Sequence, residues 1–436
     1  MFKLAKYLKP FTGLILAAIV LISVQAMADL SLPDYMSDIV NNGIQQGGVE
    51  SAVPEAVRQS SMNRLSIFMS EDDSEEVMRH YALIDQLSDD YDKYVEKYPE
   101  LANQPIYVLK DIDDAKVNEL NQIIGKAFLA VEGVEKMKSE AVNGQIDFNG
   151  KKIPANTDLF GLFSRLPAEQ RTQIAGTMNE KFTALGEQMI VQAAAGAVRN
   201  EYAAFGMDVD KVQTRYIVNT GLIMLLISLL SAACVVIVGF LASRTAAGLA
   251  RDLRKNIFTK VESFSNAELD KFSTASLITR TTNDITQIQM VVVIMIRMVF
   301  FAPVMGIGGV IRAMGKSSSM SWIIAVAVIG LLALITVVFL VAMPKFKAIQ
   351  KLVDRLNLVT RENLSGMMVI RAFNTQKFEE ERFDRANRDL TDTNLFVNRV
   401  MVVLFPVMML IMNGITVLIV WVGANKIADS SMQVGD

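Results

Sequence analysis

Cysteine and histidine are almost missing: Cys234 and His80 are the only examples in 436 residues. One of each excludes an internal disulfide framework, a Cys/His metal site and a Cys–His nucleophile pair. A charge of one sign is missing too. Lys+Arg number 43 against 46 Asp+Glu, a net of −3, so there is no basic excess to engage nucleic-acid phosphates. Chemistry is left to carboxylates, to Lys and Arg, or to another chain. Proline is scarce, and none falls between Arg244 and Arg297 or between Lys345 and Arg399, so long helices can run through both segments.

The absences that organise the chain are local stretches without charge. Phe11 to Ala28 has none, and neither have the runs between Arg215 and Arg244, Lys316 and Lys345, and Arg399 and Lys426. A further apolar run, Ile285 to Ile311, is broken only by Arg297. A membrane helix needs about 20 apolar residues, so the expectation is five spans. Two readings fit the first. Lys3, Lys6 and Lys9, an apolar stretch and then Ala26-Met27-Ala28 match a retained span, and also a secretory signal cleaved before Asp29.

Between the first and second spans lies a hydrophilic insert, residues 43–212, with 17 Lys+Arg against 28 Asp+Glu, a net of −11. The rest of the chain carries +8. Basic residues concentrate at the N-terminus and in the loops after the second and fourth spans, which hold 7 and 11 Lys+Arg. The positive-inside bias places these three in the cytoplasm. The expectation is a multi-pass cell-membrane protein with a cytoplasmic N-terminus and an extracytoplasmic insert.

The insert reads as mainly helical. Val77, Tyr81, Ile84, Leu87, Tyr91, Tyr94 and Tyr98 recur at three- and four-residue steps up to Pro99, predicting a helix there. Leu120, Ile123, Ala127, Val131, Val134 and Met137 repeat the pattern. Asn143 to Gly150, around Ile146 and Phe148, reads as a small hairpin, and Ala168 to Phe205 as a helix leading into the second span. These stripes are core before they are a cofactor box. The acidic cluster Glu71, Asp72, Asp73, Glu75 and Glu76 reads first as a solvated helix start and only second as a cation site. The loops at about 244–290 and 345–399 read as helical hairpins that reach about 25–35 Å beyond the bilayer.

One phosphate-loop decoy needs rejecting. Gly309 to Gly315-Lys316-Ser317 places five residues between its glycines, where the loop takes four. It also follows an apolar span rather than a strand. No nucleotide site is expected in this chain, and the chain alone should not hydrolyse ATP.

The loops carry recognisable text. The first reads Arg251-Asp252-Leu253-Arg254-Lys255-Asn256-Ile257-Phe258, then Phe264 to Phe272, then Leu277-Ile278-Thr279-Arg280-Thr281-Thr282-Asn283-Asp284. The second reads Arg361-Glu362-Asn363-Leu364-Ser365-Gly366, then Val369-Ile370-Arg371-Ala372-Phe373 and Glu381-Arg382-Phe383. Together these resemble the transmembrane domain of ABC exporters over roughly 1–42 and 213–436, and are most similar to bacterial halves that pair as heterodimers. The implied fold is an all-α membrane protein of the ABC exporter type. Its long helices would extend into the cytoplasm, and the mainly helical extracytoplasmic insertion is a departure from the common pattern. The domains expected are 1–42 as the first helix, 43–212 as the insert and 213–436 as helices two to five. The family pattern further implies a sixth span and an ATPase domain, and the chain's last residues, Val434-Gly435-Asp436, resemble the outer turn before that span.

The resemblance also implies partners: ABC ATPase domains binding ATP and Mg2+, a second homologous exporter half and membrane lipids, with no nucleic acid. A short coupling helix would lie across each loop tip and dock on an ATPase domain. By position these are Arg251–Lys260, with Arg251, Leu253, Arg254 and Phe258, and Asp354–Asn363, with Asp354, Leu356, Arg361 and Glu362. Phe258 and Leu356 would be the apolar anchors. For Arg280, Asn283 and Asp284, packing or local hydrogen bonding is the first explanation.

Arg297 is the ionisable group well inside a span, where such groups are costly. It is a candidate for the substrate path or a gate. Phe300, Phe301, Met401, Met408 and Met412 suit an apolar cavity, with packing the simpler role for any single one. The expected function is export of an amphipathic or hydrophobic substrate, whether drug, lipid or peptide. The alternatives are a membrane-anchored receptor whose insert binds a ligand, and a secondary transporter, which would show internal repeats and paired buried acids.

Overall fold

Among the described residues, five helices are long and apolar enough to cross a bilayer: Lys6–Gln45, Val209–Glu262, Thr274–Lys316, Ser321–Ser365 and Gln376–Ala428. The computed structural model describes residues 6–139, 145–148, 151–154, 157–165, 176, 187–265, 268, 272–316, 318–429 and 432–435. The chain divides into two compact units, one of Met1–Arg312 with Lys426–Asp436 and one of Ala313–Asn425. The five expected spans are all present, and the protein is an all-α membrane protein with one mixed insert.

In the first unit, α1 (Thr12–Asp38) opens with a tight turn at Lys9–Phe11 and runs on through a π-helical turn, Ile39–Gln45. The insert follows. It contains β1 (Ala56–Arg58), α2 (Gln59–Ser66), α3 (Glu71–His80), β2 (Tyr81–Ile84), α4 (Tyr91–Val95), β3 (Ile106–Leu109) and α5 (Asp114–Ser139). Then come β4 (Gln145–Phe148), β5 (Lys151–Pro154), α6 (Leu159–Ser164) and α7 (Glu187–Ala204).

The helix expected over Val77 to Tyr98 is not continuous. It ends at His80, and Tyr81 is extended, with φ −109 and ψ 147. Tyr81 to Ile84 then pairs antiparallel with β3 in a sheet of order β1-β3-β2. A spacing of three residues suits a helix, but burial of Tyr81 and Ile84 against β3 wins, and these residue types favour strands. The Tyr81 hydroxyl is also fixed, donating to the Pro54 carbonyl at 2.8 Å. The second stripe does form a helix, α5, which buries Leu120, Ile124, Ala127 and Val134. The side chain of Met137 lies outside the described residues, as do Asn143 and Gly144.

The hairpin is β4 paired with β5, with Phe148 opposite Lys151, displaced by a few residues from its expected position. Most of the helix expected from Ala168 lies outside the described residues. Its last part, α7, stops at Ala204, and Gly206 takes a left-handed φ of +77. It therefore does not run straight into the next span.

Two apolar cores hold the insert. One joins α2, α3, α5 and α7 around Leu65, Val77, Leu120 and Val198, and the other packs Tyr98, Leu101, Ile106 and Phe205. Glu201 of α7 ties them together. Its side chain is only 5% exposed and receives Arg58 Nε at 2.9 Å, Arg58 Nη2 at 2.8 Å, the Arg58 amide at 2.8 Å and Ser61 Oγ at 2.9 Å. Four donors saturate the carboxylate, which is what a buried charge requires.

The insert is joined to the membrane helices by short, direct contacts. From it runs α8 (Val209–Glu262), 54 residues and so about 80 Å long. Asp208 caps its start by accepting the Lys211 amide at 3.1 Å. Gln213 Nε2 donates to the Gly43 carbonyl at 2.9 Å, and Asn42 Nδ2 to the Tyr216 hydroxyl at 3.3 Å. Gly48 sits at φ +86, where a Cβ would come 2.8 Å from Gln213 Cα, so glycine is required there. Deeper in the pair, α1 and α8 meet through Ala18, Ala242, Ala246 and Ala250, small residues that let two helices approach closely.

After α8 come α9 (Thr274–Thr279), a π-helical turn (Arg280–Asp284) and α10 (Ile285–Lys316). The second unit is built on α11 (Ser321–Ser365), α12 (Met367–Ala372) and α13 (Gln376–Ala428). Two ion pairs hold its long helices together beyond their apolar stretches, Arg355–Asp389 at 3.2 Å and Glu362–Arg382 at 2.6 Å. Lys345 Nζ lies 5.3 Å from the centre of the Phe396 ring.

Candidate functional site

Each long helical hairpin ends in a turn, and the turns do not fall where the resemblance placed them. Arg251 to Lys260 is not a separate short helix but the closing turns of α8, which ends at Glu262; α9 begins at Thr274. Within that stretch Leu253 is buried against Leu249, Ala250 and Ile285. Arg251 pairs with neighbouring Asp252 at 2.8 Å, and Arg254 Nη2 reaches Thr286 Oγ1 at 3.4 Å. Phe258 is exposed.

Aromatic packing closes the first turn. The Phe264 and Phe272 rings stack with centroids 5.7 Å apart and planes 13° from parallel. Lys260 covers the first ring at 5.9 Å and Arg280 the second at 5.2 Å, the arrangement in which cations favour ring faces. The expected local role of Arg280 thus has a named partner. Asn283 is exposed.

The second turn differs in the same way. Asp354 to Asn363 lies inside α11, with Leu356 half-buried, Arg361 exposed and Glu362 engaged by Arg382. The separate short helix is α12, farther along. Around it Met368 is 81% exposed and Phe373 76%, and Leu364 and Val369 are exposed as well. The turn is fixed by the Gly366 amide on the Glu362 carbonyl at 2.8 Å and by Asn374 in a left-handed conformation, φ 54. The sequence reading did not single out these exposed apolar residues, because it centred the expected docking helix on charge-rich text. The apolar run Leu364 to Phe373, set among charges, was the available signal.

A cavity of about 540 Å³ opens between the start of α1 and α10. Leu8, Ile15, Ile288, Val292, Met295 and Phe300 line it, with Asp284 and Gln287 at one end. Of the six residues expected on a substrate path, Phe300 lines this cavity; Arg297 and Phe301 do not. Arg297 is exposed on α10. Met401, Met408 and Met412 form one exposed stripe along α13, in the second unit.

Two polar groups inside the first helix escaped the sequence reading. The charge-free run stops at Ala28, but α1 continues to Asp38. Asp29 accepts Ser231 Oγ at 2.6 Å and Gln25 Nε2 at 3.4 Å, bridging α1 to the middle of the charge-free part of α8. Asp34 pairs with Arg312 of α10. Gln25 and Ser231 are buried, so this is a hydrogen-bonded connection between membrane helices. The acidic cluster is a largely solvated start of α3: Ser70 caps the helix, Glu71, Asp72 and Glu75 are exposed, and Glu76 pairs with Lys116 at 2.5 Å and His80 at 3.3 Å. Among the described residues no group of acidic, His or Cys side chains is arranged to hold a metal ion.

Comparison with known proteins gives the setting. An ABC transporter ATP-binding protein of Mycobacterium bovis is 34% identical over 227 residues, 52% of this chain and 39% of the relative. One from Bacillus subtilis is 31% identical over 226 residues, again 52% and 39%. An ATP-dependent lipid A-core flippase of Pseudomonas fluorescens is 27% identical over 176 residues, 39% of this chain and 29% of the relative. The chain thus spans about two fifths of the length of the first two relatives. The family model for the ABC transporter transmembrane region matches residues 197–436, more than half of the sequence and all of it from α8 onward. The chain belongs to the ABC transporter transmembrane-region family.

Proposed function

We propose that this chain is the membrane-spanning part of an ATP-driven exporter that works by alternating access, paired with a second homologous half. ABC ATPase domains bind ATP with Mg2+, close on each other and push the two helical turns toward the membrane; hydrolysis resets the cycle. The basic loops carrying these turns lie in the cytoplasm, and the acidic insert lies outside. The observation that carries the reading is the second turn, where Met368 and Phe373 project at the end of helices of 45 and 53 residues. Bare apolar side chains at a rigid tip suit burial in a groove on another protein. The stacked Phe264–Phe272 pair marks the corresponding first contact.

The expected docking groups Arg251, Leu253, Arg254, Phe258, Asp354, Leu356, Arg361 and Glu362 stiffen the levers behind these turns in this reading. The exported molecule is amphipathic or hydrophobic, and the apolar cavity ending at Phe300 supports that class. Arg297 and the Met401, Met408 and Met412 stripe meet the other half or the substrate, because an exposed guanidinium within an apolar run needs a partner beyond lipid.

Reconstituted alone, the chain should hydrolyse no ATP. Reconstituted with its ATPase it should do so, and Met368→Asp with Phe373→Asp should lower substrate-stimulated hydrolysis about tenfold, equivalent to about 1.4 kcal/mol of lost coupling. Hydrolysis by the chain alone, or stimulation untouched by both changes, would contradict the reading.

A further inference from the structure

The three-stranded sheet of the insert has two edges, and they are treated differently. Along β1 lies α7: the Arg58 amide donates to Glu201 Oε1 at 2.8 Å and the Glu55 amide to the Tyr202 hydroxyl at 3.0 Å. That edge is closed. On the other side, among the described residues, β2 pairs with β3 alone. The Lys110 amide donates to the His80 carbonyl and the Leu109 amide to the Glu55 carbonyl. Even-numbered residues of β3 therefore face β2, and odd-numbered ones face β1. Ala82 and Ile84, opposite Val108 and Ile106, use their backbone groups on β3. Leu83, opposite Tyr107, turns its N–H and C=O outward, as antiparallel alternation requires.

Edges of this kind are ordinarily blunted with charge or covered. Here the chain leaving β2 carries, among its charges, one fully exposed apolar side chain. Leu87 is 93% exposed and is not on a loose loop. The Asp85 carboxylate accepts the Leu87 amide at 3.0 Å and Ser88 Oγ at 2.8 Å, while the Asp85 amide donates to Ser88 Oγ at 2.9 Å. Gln86 Nε2 is anchored on the Ala102 carbonyl at 2.8 Å. An apolar side chain is thus held outward by a hydrogen-bonded turn, four residues after exposed Leu83 at the outer edge of β2. The charge on the segment leaving β2 is of one sign as far as Asp92, with Arg79 before the strand and Lys93 directly after the segment. From Tyr81 to Asp92 there are four Asp and no Lys or Arg, and Asp89, Asp90 and Asp92 are exposed.

We propose that the β2 edge of the insert receives an extended cationic segment of another polypeptide as an added strand. Its backbone bonds to Leu83, an apolar side chain rests on Leu83 and Leu87, and a Lys or Arg faces Asp89, Asp90 and Asp92. Main-chain bonds supply affinity in this mode, and alternate side chains supply selectivity. The proposal is independent of the transport reading, so either can fail without the other.

The full chain in detergent would be titrated with a fluorescent alternating Lys–Val peptide, with binding read by anisotropy and amide exchange at Leu83 by mass spectrometry. The expected result is saturable binding that slows exchange at Leu83. Affinity should fall about tenfold in Leu87→Asp and in the Asp89→Lys, Asp90→Lys pair. The same peptide with alternate amides N-methylated should bind about tenfold more weakly, since it keeps the charge but loses the strand bonds. Leu87 is solvent-exposed, so its replacement leaves the fold intact. Equal binding of the methylated peptide, unchanged Leu83 exchange, no saturable binding, or a peptide-free dimer formed through β2 would each overturn the proposal.

Discussion

The insert and the α11–α13 hairpin obey opposite rules of burial within one chain. The insert hides its large apolar groups: Leu120, Tyr98, Ile106 and Phe205 are almost fully covered. The hairpin leaves its own bare, with only 6% of the most apolar window of α11 buried and none of that of α13. Phe339, Leu340, Leu410 and Trp421 all stand exposed. In water such a surface would be strongly unfavourable. In lipid it costs nothing, and what must be satisfied instead is the backbone, which a helix does internally. The insert therefore packs around apolar cores of its own, whereas the hairpin presents a surface suited to lipid and neighbouring helices.

That contrast is breakable by mutation, and the largest effect is expected in the insert. Glu201→Ala would strand the Arg58 guanidinium, the Arg58 amide and Ser61 Oγ in a mostly dry site. Discounted for the partial exposure of Arg58, the loss is about 3 kcal/mol. Hydrogen exchange would accelerate throughout α2, α5 and α7 while α11 and α13 stay unchanged.

Leu120→Ala, in the centre of the α5 core, should destabilise the insert by about 2–4 kcal/mol through cavity formation. Leu340→Ala, on the bare surface of α11, should change the thermal stability of the purified chain by less than about 1 kcal/mol. Comparable effects at the two positions, measured by thermal melting, would break the comparison.

Gly48→Ala tests the seam between the regions. The left-handed φ and the contact with Gln213 should together cost about 1–3 kcal/mol. The change should loosen protection at the start of α8 more than in the core of the insert.

The smallest effect concerns pH. Hydrogen bonds from Ser88 and the Leu87 amide hold Asp85 below its ordinary value, and Lys116 and His80 do the same for Glu76. A lowered carboxylate pKa means the folded state prefers the charged form. Its contribution is complete above the ordinary carboxylate range near pH 4 and fades as the pH falls through the lowered values. The insert should therefore melt earlier below about pH 4, while an Asp85→Asn, Glu76→Gln variant should show a shallower decline.

The regions also differed in how far they could be read from sequence. The membrane helices were plain, because absence of charge over about 20 residues has few other causes, and Leu120 to Val134 declared α5 by its period. Tyr81 and Ile84 did not declare a strand, since their three-residue step fits a helix equally well and only pairing with β3 decides. Asp29 and Asp34 were hidden by the rule that found the spans: a search for charge-free runs ends α1 early and passes over acids that are hydrogen-bonded to Ser231 or paired with Arg312. At the turns the family text was visible, but the ends of the helices were not. Nothing local distinguishes the last turns of α8 from a short separate helix until the stacking of Phe264 on Phe272 shows where the chain returns. The Leu87 turn carried its signal in Asp85 and Ser88, but the helix expected over Val77 to Tyr98 ran through both, and only their hydrogen bonds show the turn.

The central claim is that the turn around α12 is the point where an ATPase domain takes hold of the membrane helices. It can be tested by cross-linking, because Cys234 is the only native cysteine and is buried. Met368→Cys and Phe373→Cys, in the chain assembled with its ATPase in membranes, should each form a cross-link to that domain whose yield changes when ATP and Mg2+ are added. A cysteine at Phe258 should cross-link less than either. Absence of any cross-link from positions 368 and 373, with efficient capture from position 258, would contradict the account.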